Sequence, residues 1–287
     1  MATSVVAALM TIAWISLSAL AQSGDGGEQV RADLFEAPPS GFDTPQVDVD
    51  RGTMQRIEYE SATVGTRRKA TVYTPPGYST DRMYPVLYLL HGIGGDENEW
   101  PRQGASNVIL DNLLADEKAV PMIVVMPNGR ASKDVTVRDP IPKQSPAFAA
   151  FEKDLITDLI PFIEATYAVK ADRESRAIAG LSMGGGQALN FGLGNLDVFA
   201  WVGGFSSAPN TRRPAELVED TREATEKLRL LYVSCGDKDG LMRVSEGVHA
   251  MLEEREVPHV WRVVPGGGHD FQVWKSDLYQ FAQLVFR

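Results

Sequence analysis

Short apolar runs recur from residue 85 onward, and segments with helical spacing separate them. The clearest run is Pro85-Val86-Leu87-Tyr88-Leu89-Leu90, apolar at every position. A strand with one wet face alternates, whereas a run without alternation fits a strand covered on both faces, as in a parallel sheet. Less uniform runs over 122–126, 176–179, 201–205, 228–235 and 260–264 continue the series. Between and after them, 105–115, 148–167, 183–193, 214–226, 242–254 and 274–286 predict helices, with Pro161 expected to kink or break the second. Upstream, 54–59 and 68–73 alternate around a turn at Gly65 and predict a half-exposed antiparallel pair. The whole order predicts an α/β fold: a mostly parallel central sheet, helices on both faces and right-handed crossovers. Nothing suggests a repeat or a second domain, so 51–287 reads as one unit, long enough to enclose a single large core.

The N-terminus reads differently. Residues 5–21 are mostly apolar and end Ala19-Leu20-Ala21, a small-x-small pattern expected of a cleaved signal peptide. The rival expectation is a retained membrane anchor, although 17 residues lie at the short end of spanning length. Both readings place the rest of the chain outside the cytoplasm, secreted or periplasmic. Residues 22–50 are rich in Gly, Pro, Asp and Ser without periodicity and read as a flexible linker, with Leu34 and Phe35 able to dock.

Charge narrows the partners. Asp and Glu total 38 against 28 Lys and Arg, a formal charge of −10, which disfavours a nucleic-acid binder. The densest cationic runs, Arg67-Arg68-Lys69 and Arg212-Arg213, read as a solvated strand end and a loop. Cys235 is the one cysteine, so an intrachain disulfide and a cysteine zinc site are excluded; it reads as a core thiol. No H-E-x-x-H or other ligand spacing calls for a metal.

The chemistry is expected at strand ends. Gly180-Leu181-Ser182-Met183-Gly184 falls between a predicted strand and a predicted helix, the setting of a nucleophile elbow. Side chains at the flanking glycines would collide with the crossing strand and helix. The turn raises the Ser182 hydroxyl to the sheet edge at a helix N-terminus, where negative charge is favoured.

A serine nucleophile needs a base. Four histidines compete. His249 falls inside a predicted helix, His259 begins a strand, and both read as surface or boundary residues. His91 precedes the serine and reads as a scaffold residue. In α/β-hydrolases the order is Ser, acid, His, which leaves His269 in Gly266-Gly267-Gly268-His269-Asp270-Phe271. The acid belongs on Gly236-Asp237-Lys238-Asp239-Gly240, and spacing does not choose between Asp237 and Asp239. Asp270 is disfavoured because adjacent side chains point apart. For the oxyanion, one N–H is expected from Met183 and another from His91-Gly92-Ile93-Gly94-Gly95, at Ile93 or else Gly92. No cofactor is required.

From about Arg51 to Phe286 the chain resembles the feruloyl esterase domains of carbohydrate esterase family 1, particularly the esterase modules of bacterial cellulosomal xylanases. TPPGY at Thr74, YPVLYLLHGIGGDENEW ending at Trp100, DRESRAIAGLSMGGGQALN around Ser182, CGDKDGL and GGGHDFQVWK carry the likeness. It implies an α/β-hydrolase without a large lid domain. It matches the triad acid to Asp239 and supports Ser182 and His269 as its partners, with Ile93 and Met183 as oxyanion donors. The implied activity is release of hydroxycinnamic acids from feruloylated arabinoxylan. An acetylxylan or other small-acyl esterase is the nearest alternative. A non-catalytic carbohydrate-binding protein on a hydrolase scaffold is the alternative of another class. Trp100 is a candidate for stacking on substrate and equally for a core or rim position, Ser206 with Ser207 is a candidate for lining the pocket or for capping, and Trp274 is expected to pack the last helix.

Overall fold

The structure is a computed structural model that describes residues 37–287. The expected signal segment, Leu34 and Phe35 lie outside the described residues. Strands β1 (Thr53–Ser61) and β2 (Thr66–Thr74) form the antiparallel pair, joined through the turn at Gly65. After β3 (Val86–Leu90) come α1 (Glu99–Gln103), α2 (Ser106–Ala115) and β4 (Ile123–Pro127). Then follow α3 (Ile141–Asp154), a π turn Leu155–Leu159, α4 (Ile160–Thr166) and β5 (Arg176–Leu181). Next are α5 (Met183–Gly194), β6 (Trp201–Phe205), α6 (Pro214–Leu217), α7 (Thr221–Lys227) and β7 (Leu230–Gly236). The chain closes with α8 (Met242–Glu254), β8 (Val260–Val264) and α9 (Phe271–Leu284).

The strands form one eight-stranded sheet in the order β1-β2-β4-β3-β5-β6-β7-β8. β2 runs antiparallel to β4, and every later pairing is parallel. All positions of β3, β4, β5 and β6 are buried, because helices cover both faces. One core packs α3, α4, α5 and α8 against the sheet, with Phe151, Leu155, Ile163, Leu189 and Leu252 among its members. The other lies under α1, α2 and α9 and contains Trp100, Leu110, Leu278 and Phe281.

Register builds the site. Leu90 pairs with Gly180, Leu181 with Phe205, Phe205 with Ser234, and Gly236 with Val264. The C-terminal ends of five strands therefore lie along one edge. The segments leaving them, beginning at His91, Ser182, Ser206, Asp237 and Pro265, are neighbours despite their distance in sequence.

Several expectations need correction. α3 begins at Ile141, seven residues before the expected start, because Pro142 and Pro146 hide the pattern. Pro142 occupies the first turn, where an N–H has no intrahelical partner anyway. The break expected at Pro161 is the π turn before it, and Pro161 enters α4 at its first turn. The predicted helix 214–226 is two short ones, the second capped by the Asp220 carboxylate on the N–H groups of Arg222 and Glu223. Arg68 is not a solvated strand end: it is buried and pairs with Asp154 at 2.6 Å, beside the Tyr59 hydroxyl. The expected tether is seated on the domain near its end. Asn112 donates to the carbonyls of Phe42 and Thr44, Phe42 packs edge-on against Tyr279, and Asp43 pairs with Lys275 at 3.0 Å.

Candidate active site

At the end of β5 the chain turns sharply into α5. Ser182 sits in that turn with φ 52° and ψ −115°, a conformation rare for a residue with a side chain. The flanking glycines are there for space. A Cβ on Gly184 would lie 2.5 Å from the His91 carbonyl oxygen, and one on Gly180 would lie 2.6 Å from Gly184 itself. No side chain fits either gap.

His269 lies on the loop between β8 and α9. Its Nε2 is 2.9 Å from Ser182 Oγ, and its Nδ1 is 2.8 Å from Asp239 Oδ2. Asp239 is buried and Asp237 is exposed, so the two candidates that spacing left open are separated by geometry. Burial alone would raise the Asp239 carboxyl. The Leu241 N–H, the His269 ring and the Ser206 hydroxyl outweigh that effect and hold it below the usual carboxylate range. Asp270 serves elsewhere, capping α9 through the N–H groups of Gln272 and Val273. The acid and histidine loops are tied together: Lys238 N–H donates to the Gly267 carbonyl, and Asp237 N–H to that of Val264. An ionised Asp239 accepting from Nδ1–H fixes the tautomer in which Nε2 can accept the serine proton.

The loop after β3 lies against this row, since a Cβ on Gly92 would be 3.5 Å from Ser182 Cβ. Gly92 N–H is already committed to the Glu99 carboxylate at 2.8 Å. That removes it as an oxyanion donor and leaves Ile93. Among the described residues, the N–H groups of Ile93 and Met183 have no acceptor within the domain. His91 is a scaffold residue: Nε2 accepts from Gly129 N–H at 2.8 Å, and Nδ1 lies 2.6 Å from the Gly92 carbonyl. Burial pushes its pKa down to about 4, which keeps the ring neutral. An apolar wall of Phe148, Met183 and Ala208, with Ile93 and Leu241 half-buried against it, adjoins the serine.

Two substrate-binding candidates are displaced. Trp100 is 1% exposed, donates from Nε1 to the Leu90 carbonyl at 2.9 Å and packs edge-on against Phe205 and Phe271. It braces the core and offers no stacking face. Ser206 is fully buried, and its hydroxyl bonds Asp239 and accepts from Cys235, so it supports the acid. Trp274 packs its helix as expected and meets the edge of His269 at 4.9 Å. His249 and His259 stand apart from the site, 2.8 Å from each other. His259 is buried there, away from the surface or boundary position expected of it. Sequence reasoning missed Glu99 and Arg130, the latter buried after β4 and donating to the Ile93 carbonyl at 2.8 Å. The charged run Asp96-Glu97-Asn98-Glu99 and the cation behind Gly129 were the available signals.

A parallel-rich sheet with a strained serine between strand and helix, hydrogen-bonded to a histidine and through it to a buried aspartate, defines the α/β-hydrolase class. Within that class the chain belongs to the esterase family, carboxylic ester hydrolases whose family model, described as "Putative esterase", matches residues 61–283. An endo-1,4-beta-xylanase/feruloyl esterase of Xylanibacter ruminicola is 36% identical over 247 residues, covering 84% of this chain. This chain spans 32% of that relative's length. An acetyl esterase of Caldicellulosiruptor saccharolyticus is 27% identical, covering 68% of this chain and 70% of that protein. A solved family 1 ferulic acid esterase from Anaeromyces mucronatus, in complex with ferulic acid, is 28% identical with a TM-score of 0.80. It covers 87% of this chain and 96% of the solved one.

Proposed function

We propose that the chain is an exported serine esterase that cleaves hydroxycinnamoyl esters, such as feruloyl groups, from plant cell-wall polysaccharide. The observation that carries the reading is the hydrogen-bonded row Asp239–His269–Ser182, set beside the apolar wall from Ile93 to Leu241. A relative named as a xylanase/feruloyl esterase and a similar structure holding ferulic acid support the acyl class. Export rests on the apolar run at 5–21.

In this mechanism His269 Nε2 takes the Ser182 proton as Oγ bonds to the ester carbonyl carbon. The carbonyl oxygen becomes an oxyanion held by the N–H groups of Ile93 and Met183, aided by the N-terminal end of α5. The C–O bond to the sugar breaks, and the sugar oxygen leaves with the proton from His269. Water then attacks the acyl-enzyme, giving its proton to the same histidine. Ser182 regains a proton and the phenolic acid departs.

The acetyl esterase relative supports a second reading, in which the acyl group is small. Rates on methyl ferulate and 4-nitrophenyl acetate, for the wild type and Ser182→Ala, decide between them. Fast, Ser182-dependent ferulate hydrolysis is expected. Cleavage of the acetate alone shifts the substrate to small acyl groups. Turnover of neither ester defeats both and favours a binding protein.

A further inference from the structure

The loop Gly92–Gly95 is a single turn in which Gly95 N–H donates to the Gly92 carbonyl at 3.1 Å. Its one side chain, Ile93, packs on the apolar wall and makes no polar contact that could aim the backbone. The polar groups around it are gripped from outside. The Glu99 carboxylate takes Gly92 N–H at 2.8 Å from seven residues downstream and fills the space beside Gly95, where a Cβ would meet it at 2.4 Å. Arg130 Nη2 donates to the Ile93 carbonyl at 2.8 Å and to the Gly95 carbonyl at 3.3 Å. Arg130 is itself pinned: Nε donates to Gln144 Oε1 at 2.9 Å, and the guanidinium lies over the Phe148 ring. Gln144 in turn donates to the carbonyls of Val137 and Asp139. Both charged residues are buried, a costly arrangement for groups that only hold a surface loop.

We infer that Glu99 and Arg130 are a positioning pair that presents the Ile93 N–H to the developing oxyanion. Glu99 fixes the His91–Gly92 peptide through its N–H and Arg130 fixes the Ile93–Gly94 peptide through its carbonyl, so the peptides on either side of the one that carries the Ile93 N–H are held, while the Gly92 carbonyl of that middle peptide accepts from Gly95 N–H. The Ile93 N–H is left as the donor for substrate. An oxyanion donor acts only if it is already aimed, so loosening it raises the barrier while leaving ground-state binding alone. The inference rests on Ser182 chemistry and holds whichever acyl group the enzyme prefers.

The test measures kcat and KM for 4-nitrophenyl acetate and methyl ferulate in the full chain, with Arg130→Met, Glu99→Ala and Glu99→Gln. It also measures inhibition by a phenylboronic acid, whose tetrahedral serine adduct places an oxygen at the oxyanion position, and by ferulate as a ground-state ligand. For Arg130→Met and Glu99→Ala, kcat is expected to fall about 10- to 100-fold with KM shifted less than about threefold. Boronate affinity should weaken in proportion and ferulate affinity should hold. Glu99→Gln, whose amide oxygen still accepts from Gly92, should restore kcat to within about threefold of wild type. A kcat unchanged in both variants, or a fall in kcat with boronate affinity intact, overturns the pair. If Arg130→Met does not fold, equal losses in Glu99→Ala and Glu99→Gln overturn it. A wild type inactive on both 4-nitrophenyl acetate and methyl ferulate brings down the esterase reading and this inference with it. An active wild type with indifferent variants brings down this inference alone.

Discussion

The elbow at Gly180–Gly184 and the loop at Gly92–Gly95 touch each other, yet their shapes arise differently. The elbow is set by its own residues: two glycines stand where no Cβ fits, and one strained serine lies between them. The loop is set by partners outside it, Glu99 seven residues on and Gly129 and Arg130 far along the chain, each holding one of its polar groups or those of His91. Local steric exclusion leaves a mark in five consecutive letters. Distant hydrogen bonding leaves almost none.

Substitutions probe both sides of that contrast. The largest effect is expected from Ser182→Ala, which should lower kcat by roughly 10⁴- to 10⁶-fold on an activated ester, with the fold intact by circular dichroism. Asp239→Asn should cost roughly 10⁴-fold by reversing the His269 tautomer. Asp237→Asn, on an exposed neighbour, should leave kcat within about threefold; equal losses would reject the assignment of the acid. On the elbow, Gly184→Ala forces a methyl against the His91 carbonyl and should destabilise by about 1–3 kcal/mol in denaturant melts, with activity lost in step. A stable, active variant would show that the elbow has room to relax.

On the loop side, buried neutral His91 links stability to acid. Its folded pKa of about 4 lies below the ordinary 6.5, so the unfolded chain binds the proton more readily. The contribution is full above about pH 6.5 and is lost as pH falls toward 4, amounting to roughly 3 kcal/mol. His91→Gln should flatten the melting temperature across that window; an unchanged slope assigns the acid sensitivity elsewhere. A small effect is expected from Ser206→Ala, which removes one hydrogen bond to the acid and should lower kcat by about 2- to 10-fold.

Much of the sheet was legible because strands covered on both faces lose alternation, as in 85–90, and because helix periods separate them. The row Ser182, His269 and Asp239 was reachable from chain order and from the family likeness. The limits are equally specific. Pro142 and Pro146 obscured the start of α3, although the first turn of a helix tolerates proline. Trp100 reads from sequence as a substrate-stacking residue or equally as a core or rim residue, and only the third dimension places its indole N–H on the Leu90 carbonyl. Ser206 follows a strand end, as pocket residues do. Its backbone instead turns at φ 46° and carries the hydroxyl toward Asp239. Arg130 has no period and no motif, and Glu99 falls in a matched stretch that assigns it no role, because what each does is set by which loops the sheet order makes neighbours.

Cys235 lies at the end of β7, fully buried, four residues ahead of Asp239, with its Sγ 3.8 Å from Ser206. Burial and the nearby Asp239 carboxylate push the thiol up to about 12. Since the thiolate is the reactive form, the folded protein should ignore a disulfide reagent until this strand end opens. With no second cysteine to confuse the signal, the chain carries its own clock. The labelling rate counts how often the floor beneath Asp239 comes apart, and comparison with the global unfolding rate shows whether the acid loop breathes alone or only with the whole sheet.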